Sequence, residues 1–424
     1  MKNLLLGAAW LPTVLLLAAN AAPSVARSQD CAADVACPGF ALSAGYTLDF
    51  KRNTTGGLER GNATSGLLEL GAVWTTDTLL PGALVTSTAS LIHTTGGAIS
   101  GRYVGDLQGL NNIEAPAALR LYELWSEIEF GRGGSVSTRM GLLDLNAEFD
   151  APVTSAFFIG PPFGIGTDLA QTGENGPAVF PVTSLGLRVA GKLGASHWRM
   201  AAFDGVPGRV DHESFATVDV SHHEGALLIS EIEAAPAGFN KLAMGAWTYT
   251  SRFTAIDASA SGDDATRRNR GAYTMADLPL GQIGAARVNG VLRAGVAAGR
   301  VNAIDRFLGA AVVISHLSGR PEDAVGLAIA HGRTSDAFQR QQDFDGATPR
   351  RSETQVELTW RTPARPWLAV VPSLQWVAHP GADHALRNAF IVGMRFELSL
   401  DHDWPSLVRQ ADSAHDASLA MSAP

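Results

Sequence analysis

The chain has 424 residues, a formal net charge of −9, 46% hydrophobic residues and two cysteines. The acidic balance argues against a nucleic-acid partner, which calls for a basic patch. Two cysteines six residues apart, Cys31 and Cys37, do not make a paired CxxC metal site, and no other residue set points to a metal or a cofactor.

Residues 1–26 read as a secretory signal peptide. Lys2 supplies the positive charge, residues 4–19 form an apolar stretch interrupted at Pro12, and Ala19-Asn20-Ala21 and Ser24-Val25-Ala26 fit small-x-small cleavage. In the segment 27–40 that follows, Cys31 and Cys37 are placed to close a small disulfide loop in an oxidising compartment. Beyond it no apolar run approaches the roughly twenty residues of a membrane helix, the longest being 307–314.

From there to residue 400 the apolar residues mostly alternate, which is strand periodicity. Candidate strands fall near 42–50, 66–75, 84–93, 119–130, 136–144, 182–192, 196–204, 224–233, 241–251, 269–277, 287–297, 307–317, 325–333, 353–361, 367–377 and 389–399. Their lengths suit tilted membrane strands, and their even number suits a closed barrel in which an apolar face meets lipid and a polar face lines the lumen. The expected class is therefore all-β: a transmembrane antiparallel β-barrel of about 16 strands. Short joins, such as 131–135 and 193–195, and long polar ones, such as 256–268 and 334–352, fit turns on one side and loops on the other.

In 119–130, Tyr122, Leu124, Ile128 and Phe130 share one face, with Glu123, Trp125, Glu127 and Glu129 opposite. Tyr122 and Phe130 would then lie about 27 Å apart along the strand and mark the two membrane interfaces. In 389–400, Phe390, Val392, Met394 and Phe396 belong to lipid, and Gly393, Arg395 and Glu397 to the lumen. Arg139, Arg188, Arg199, Glu357 and Arg361 also lie opposite apolar neighbours and should face inward, because an arginine near the bilayer midplane costs about 2–4 kcal/mol.

Residues 151–181 do not alternate. Their prolines and glycines forbid a long helix or central strand, yet they mix Phe157, Phe158, Phe163 and Phe180 with Asp168 and Glu174. A connection of this length is usually functional. It reads as a loop folded into the lumen to narrow it. His222-His223 is not a metal pair, because neighbours on a strand point apart. Asp343-Phe344-Asp345-Gly346 is a polar turn lacking the later ligands of a calcium loop.

Ordered motifs carry a resemblance. Tyr103-Val104-Gly105-Asp106-Leu107-Gln108-Gly109, Asn112-Ile113-Glu114-Ala115-Pro116, Gly141-Leu142-Leu143-Asp144-Leu145-Asn146, Glu148-Phe149-Asp150, Phe163-Gly164-Ile165-Gly166, Phe180-Pro181-Val182-Thr183-Ser184 and His379-Pro380-Gly381 resemble the carbohydrate-selective porin (OprB) family across about residues 40–400. The resemblance implies a Gram-negative outer-membrane porin, monomeric or homotrimeric. It also implies that monosaccharides diffuse through a narrow polar constriction. Family members are expected to close on an aromatic residue, whereas here a polar stretch, 401–424, follows the last strand.

A neutral sugar needs donors, acceptors and an aromatic plate, held weakly enough for release. Arg139 and Arg188 are the candidate donors, Glu114, Asp144, Asp168 and Glu174 the acceptors, and Trp125 the plate. The competing readings are a secreted β-rich carbohydrate-binding hydrolase with two close carboxylates, and a non-selective or ion-preferring porin.

Overall fold

The computed structural model describes residues 39–131, 135–209, 215–216, 225–262, 264–317, 319–320 and 322–399. The expected signal peptide, the Cys31–Cys37 bridge, His222-His223 and the segment 401–424 lie outside the described residues.

Sixteen strands close into one antiparallel barrel: β1 Gly39–Gly57, β2 Gly61–Thr76, β3 Ala83–Thr94, β4 Ala118–Phe130, β5 Val136–Leu143, β6 Ser184–Leu193, β7 Ser196–Asp204, β8 Ala226–Ala234, β9 Lys241–Thr254, β10 Thr266–Ile283, β11 Ala286–Ala297, β12 Ile304–Ser315, β13 Ala324–Thr334, β14 Ser352–Arg365, β15 Leu368–Ala378 and β16 Arg387–Ser399. Each strand pairs with its chain neighbours, and β1 pairs with β16 from Gly45↔Ser399 to Gly57↔Arg387. Closure leaves no free edge to be satisfied in lipid.

Every expected strand is present. Several run longer than the alternation indicates, because their ends stand clear of the membrane, where polar residues no longer mark the face. β1 has 19 residues and β10 has 18. At the far end of β10 a register shift between Pro279 and Gly281 absorbs the proline, which cannot donate to the ladder.

The two ends of the barrel differ. The end that holds the start of β1 and the finish of β16 carries short turns. Two of them, at Gly194-Ala195 and Gly284-Ala285, have glycine in the left-handed region with φ 62° at the first central position, as a tight II′-type hairpin requires. The other end carries the long connections, including 95–117 between β3 and β4 and 144–183 between β5 and β6.

Facing follows alternation. In β16 Val392 is 40% exposed and Met394 37%, whereas Ile391 is fully buried and Arg395 6% exposed. The apolar residues with large outward exposure, among them Leu42, Leu124, Met200, Met244, Leu308 and Leu327, form the wall's outer band.

Strand β4 departs from the expectation. A register shift between Ser90 and Leu91 of the partner strand leaves Tyr122 and Glu123 adjacent on the inner side. Tyr122 is buried and donates its hydroxyl to Asp144 at 2.7 Å. It is no interface aromatic, because a bulge reverses the parity on one side of it.

Inside, the wall is covered by the two long connections. Phe158 and Phe163 pack on Phe307, Val313, Ala324 and Ala328, while Ile99, Val104 and Leu110 pack on Val377, Ala389 and Ile391. The apolar core of the molecule is thus the seam between loop and lumen, and this seam positions the site.

Candidate pore constriction

The β5–β6 loop is folded into the lumen, and buried polar groups of the wall hold it there. Asp144 starts it by accepting the amide of Asn146 at 2.8 Å, as a cap does. Arg139 and Arg188, paired across β5 and β6, grip Glu148 at 2.9 and 2.7 Å and Glu127 of β4 at 2.7 and 2.9 Å. Arg199 of β7 donates to the Glu148 carbonyl at 2.6 Å and continues the belt to Glu231 and Glu233 of β8, and Lys241 of β9 closes on Glu233 at 3.0 Å. Opposite charges therefore alternate along the inner wall across six of the sixteen strands, from β4 to β9.

Further round the wall the loop meets three more anchors. Arg293 of β11 donates to both oxygens of Asp150, at 3.0 and 2.6 Å, and to Asp168. Its guanidinium lies 5.5 Å from the Tyr273 ring centroid and 5.0 Å from that of Phe307. Thr154 bonds Asp277 through both its amide and its hydroxyl. Glu357 of β14 accepts the amides of Ile159 and Gly160 at 2.7 and 2.9 Å. These bonds satisfy backbone donors that a buried irregular loop would otherwise leave orphaned.

The β3–β4 loop enters from the other side in the same manner. Glu353, four residues before Glu357 on β14, accepts the amides of Leu107 and Gln108 at 2.8 and 3.1 Å and that of Gly381 at 2.8 Å. Arg395 holds Asn111 and Asn112 at 3.1 and 2.6 Å while pairing with Asp49 at 2.7 Å. The two loops touch: Asn112 donates its amide to Ile159 O at 2.9 Å, and Gln171 donates to Leu107 O.

The sequence-derived residues separate into groups. Arg139 and Arg188 do come together, around Glu127 and Glu148, while Asp144 bonds Tyr122 and Asn146 at the start of the loop. Trp125 belongs to the same patch, but the Arg139 guanidinium covers its ring at 3.9 Å and its indole N–H donates to Glu123 at 3.1 Å, so it offers no bare stacking face. Asp168 is fully buried under the loop against Arg293 and does not meet the lumen. Glu114 sits apart, accepting the amides of Ile99 and Ser100 at 3.1 and 3.3 Å, and Glu174 is exposed.

Glu127, Glu148, Asp150, Arg293 and Glu353 were not among the candidates. Glu127 and Glu148 were findable from alternation and from the Glu148-Phe149-Asp150 motif. Arg293 and Glu353 gave no local sign, because their partners lie 125 and 245 residues away.

Loop carboxyls feel this packing. Burial, with Asp106 nearby, pushes Glu114 up to about 7. Burial likewise raises Asp106 to about 6 and Asp144 to about 6. For Glu148, burial opposes ionisation but Arg139 and Arg188 outweigh it and hold the carboxyl below its usual range.

A closed sixteen-stranded barrel whose β5–β6 loop folds into the lumen is porin architecture, and the sequence matches the family described as carbohydrate-selective porin, OprB family, over residues 59–400. The chain belongs to the OprB family. Its fold is similar to the high-pH structure of Pseudomonas putida OprB, at TM-score 0.75 and 18% identity, covering 85% of this chain and 94% of that one. The low-pH structure of the same protein matches at TM-score 0.51 and 15% identity over 85% and 93%. The outer-membrane channel DcaP of Acinetobacter baumannii matches at TM-score 0.51 and 12% identity over 85% and 97%. No curated protein sequence matches. By family the chain is an outer-membrane porin.

Proposed function

We propose that this porin passes monosaccharides by diffusion, at a constriction bounded by the joined β5–β6 and β3–β4 loops and by the charged belt of β4–β9. The observation that carries the reading is that two inward loops join at Asn112 and Ile159, while the wall of β4–β9 carries alternating Arg and Glu side chains. Arg139 and Glu148, partly exposed at 15% and 18%, can exchange hydrogen bonds with sugar hydroxyls while staying paired to each other. Donors that are already neutralised bind a neutral solute weakly, and weak binding permits release. The family description supports carbohydrate as the solute class.

Liposome swelling tests it. Vesicles containing the full chain should swell faster in glucose than in a trisaccharide of the same osmolarity, and added glucose should reduce single-channel ion current. Equal swelling in both sugars, with no effect of glucose on current, would refute selectivity. That result would favour an ion-preferring pore, for which the exposed parts of the charged belt would be the reason.

A further inference from the structure

Alternation leaves one feature of the outer wall unused by transport. On β10, Arg268 pairs across to Arg252 and Arg270 to Thr248, and Asn269 between them points inward, where its amide exchanges bonds of 3.1 and 2.7 Å with Asn302. Arg268 and Arg270 therefore point outward. On β12 the inner face holds buried Phe307, so Arg306 points outward as well, paired across to exposed Val296 and to Arg333. Arg252, Arg268, Arg270 and Arg306 are all exposed, and all lie toward the end of the barrel that carries the long connections, which in a porin is the extracellular rim.

Among the described residues none of Arg268, Arg270 and Arg306 forms an ion pair with an acid. Asp305, beside Arg306, instead pairs with Arg333 at 3.9 Å. Arg252 is steadied by neutral groups, donating to the hydroxyl and carbonyl of Thr266 at 3.0 and 2.8 Å. Directly below, the outward face is aliphatic, with Met244, Leu292, Val296 and Leu308 exposed. At the opposite rim these strands turn Leu242, Val288 and Ile314 outward by alternation, and no arginine. The charge is thus confined to one leaflet.

We propose that this cluster binds the phosphorylated headgroup of an outer-leaflet glycolipid, the diphosphorylated lipid A of lipopolysaccharide, with its acyl chains on the aliphatic wall beneath. Guanidinium groups match phosphate oxygens two at a time. Arg270 and Arg306 stand two strands apart, about 10 Å at the usual strand spacing, so one disaccharide headgroup can reach both. An unpaired basic row at headgroup height attracts anionic lipid, and its reach ends within a Debye length.

The test uses the full chain in non-ionic detergent and measures binding of diphosphoryl lipid A by thermophoresis. Replacing three arginines together (Arg268→Gln, Arg270→Gln and Arg306→Gln) should weaken binding by roughly 100-fold, about fivefold for each. Arg287→Gln at the other rim should leave it unchanged. For the unaltered chain, raising NaCl from about 0.05 to 0.5 M should weaken binding at least about tenfold, a measurement that stands even if the triple variant does not fold. Equal affinity of triple variant and parent, or binding indifferent to salt, would overturn the proposal. Phosphatidylglycerol bound as tightly as lipid A would overturn the glycolipid assignment.

Discussion

Replacing Arg293 with methionine removes the cation that holds both Asp150 and Asp168, two fully buried acids, while keeping the side chain's bulk between Tyr273 and Phe307. Orphaning one partner of a buried pair costs about 3–5 kcal/mol, which shifts the docked-to-loose ratio of that stretch of loop by roughly a hundredfold to a few thousandfold. The barrel should stay closed, since β11 remains paired with β10 and β12 along its length. The loop should not be lost completely either, because Glu357 still accepts the amides of Ile159 and Gly160. The expected phenotype is intermediate: normal heat-modifiable gel mobility, but larger and noisier single-channel conductance. Adding Asp150→Asn and Asp168→Asn removes the stranded charges and should restore most of the quiet, smaller conductance. A single Arg293→Met variant with parental conductance and noise would refute the idea that this cation fixes the loop.

Glu353→Gln should loosen the β3–β4 loop and Glu357→Gln the β5–β6 loop, each raising conductance, and amide hydrogen exchange should localise the loss to Leu107 and Gln108 or to Ile159 and Gly160 respectively. Met394→Arg places a charge on the lipid face and should cost about 2–4 kcal/mol in urea unfolding from vesicles. Thr47→Arg, facing the lumen opposite Glu397, should cost far less; equal costs would contradict the facing. Gly393 is a poor lumenal control, since a Cβ there would lie 2.5 Å from the Ser373 hydroxyl. With Glu114 raised to about 7, the folded state binds the proton that the unfolded chain has released, so docking of the β3–β4 loop should weaken as pH climbs from about 4.5 through 7. Hydrogen exchange at Ile99 and Ser100 should speed up over that range, and Glu114→Gln should flatten the response.

The barrel was legible because alternation is a local property: a residue's two neighbours suffice to assign its face. Phe390, Val392 and Met394 needed nothing more. Tyr122 shows the limit, for a bulge reverses parity without changing composition, and only the register against β3 reveals it. The inward loop was legible from its length and its phenylalanines, but its fastenings were not. Asp168 looks like a lumenal acid until Arg293, 125 residues later, is known to lie over it. The use of Trp125 as a stacking plate failed for the same reason, since Arg139 reaches its face from the next strand.

Glu353 and Glu357 share one face of β14, and each carries a different loop. The aperture is therefore less like a hole cut by one loop than like the gap of a two-jaw vice, both jaws bolted to one rail. A change in either jaw is felt by the other through Asn112 and Ile159. Sliding or exchanging residues in this single strand would reset the bore while every loop sequence stayed the same. Pore size could then drift in evolution at positions far from the residues that touch the solute.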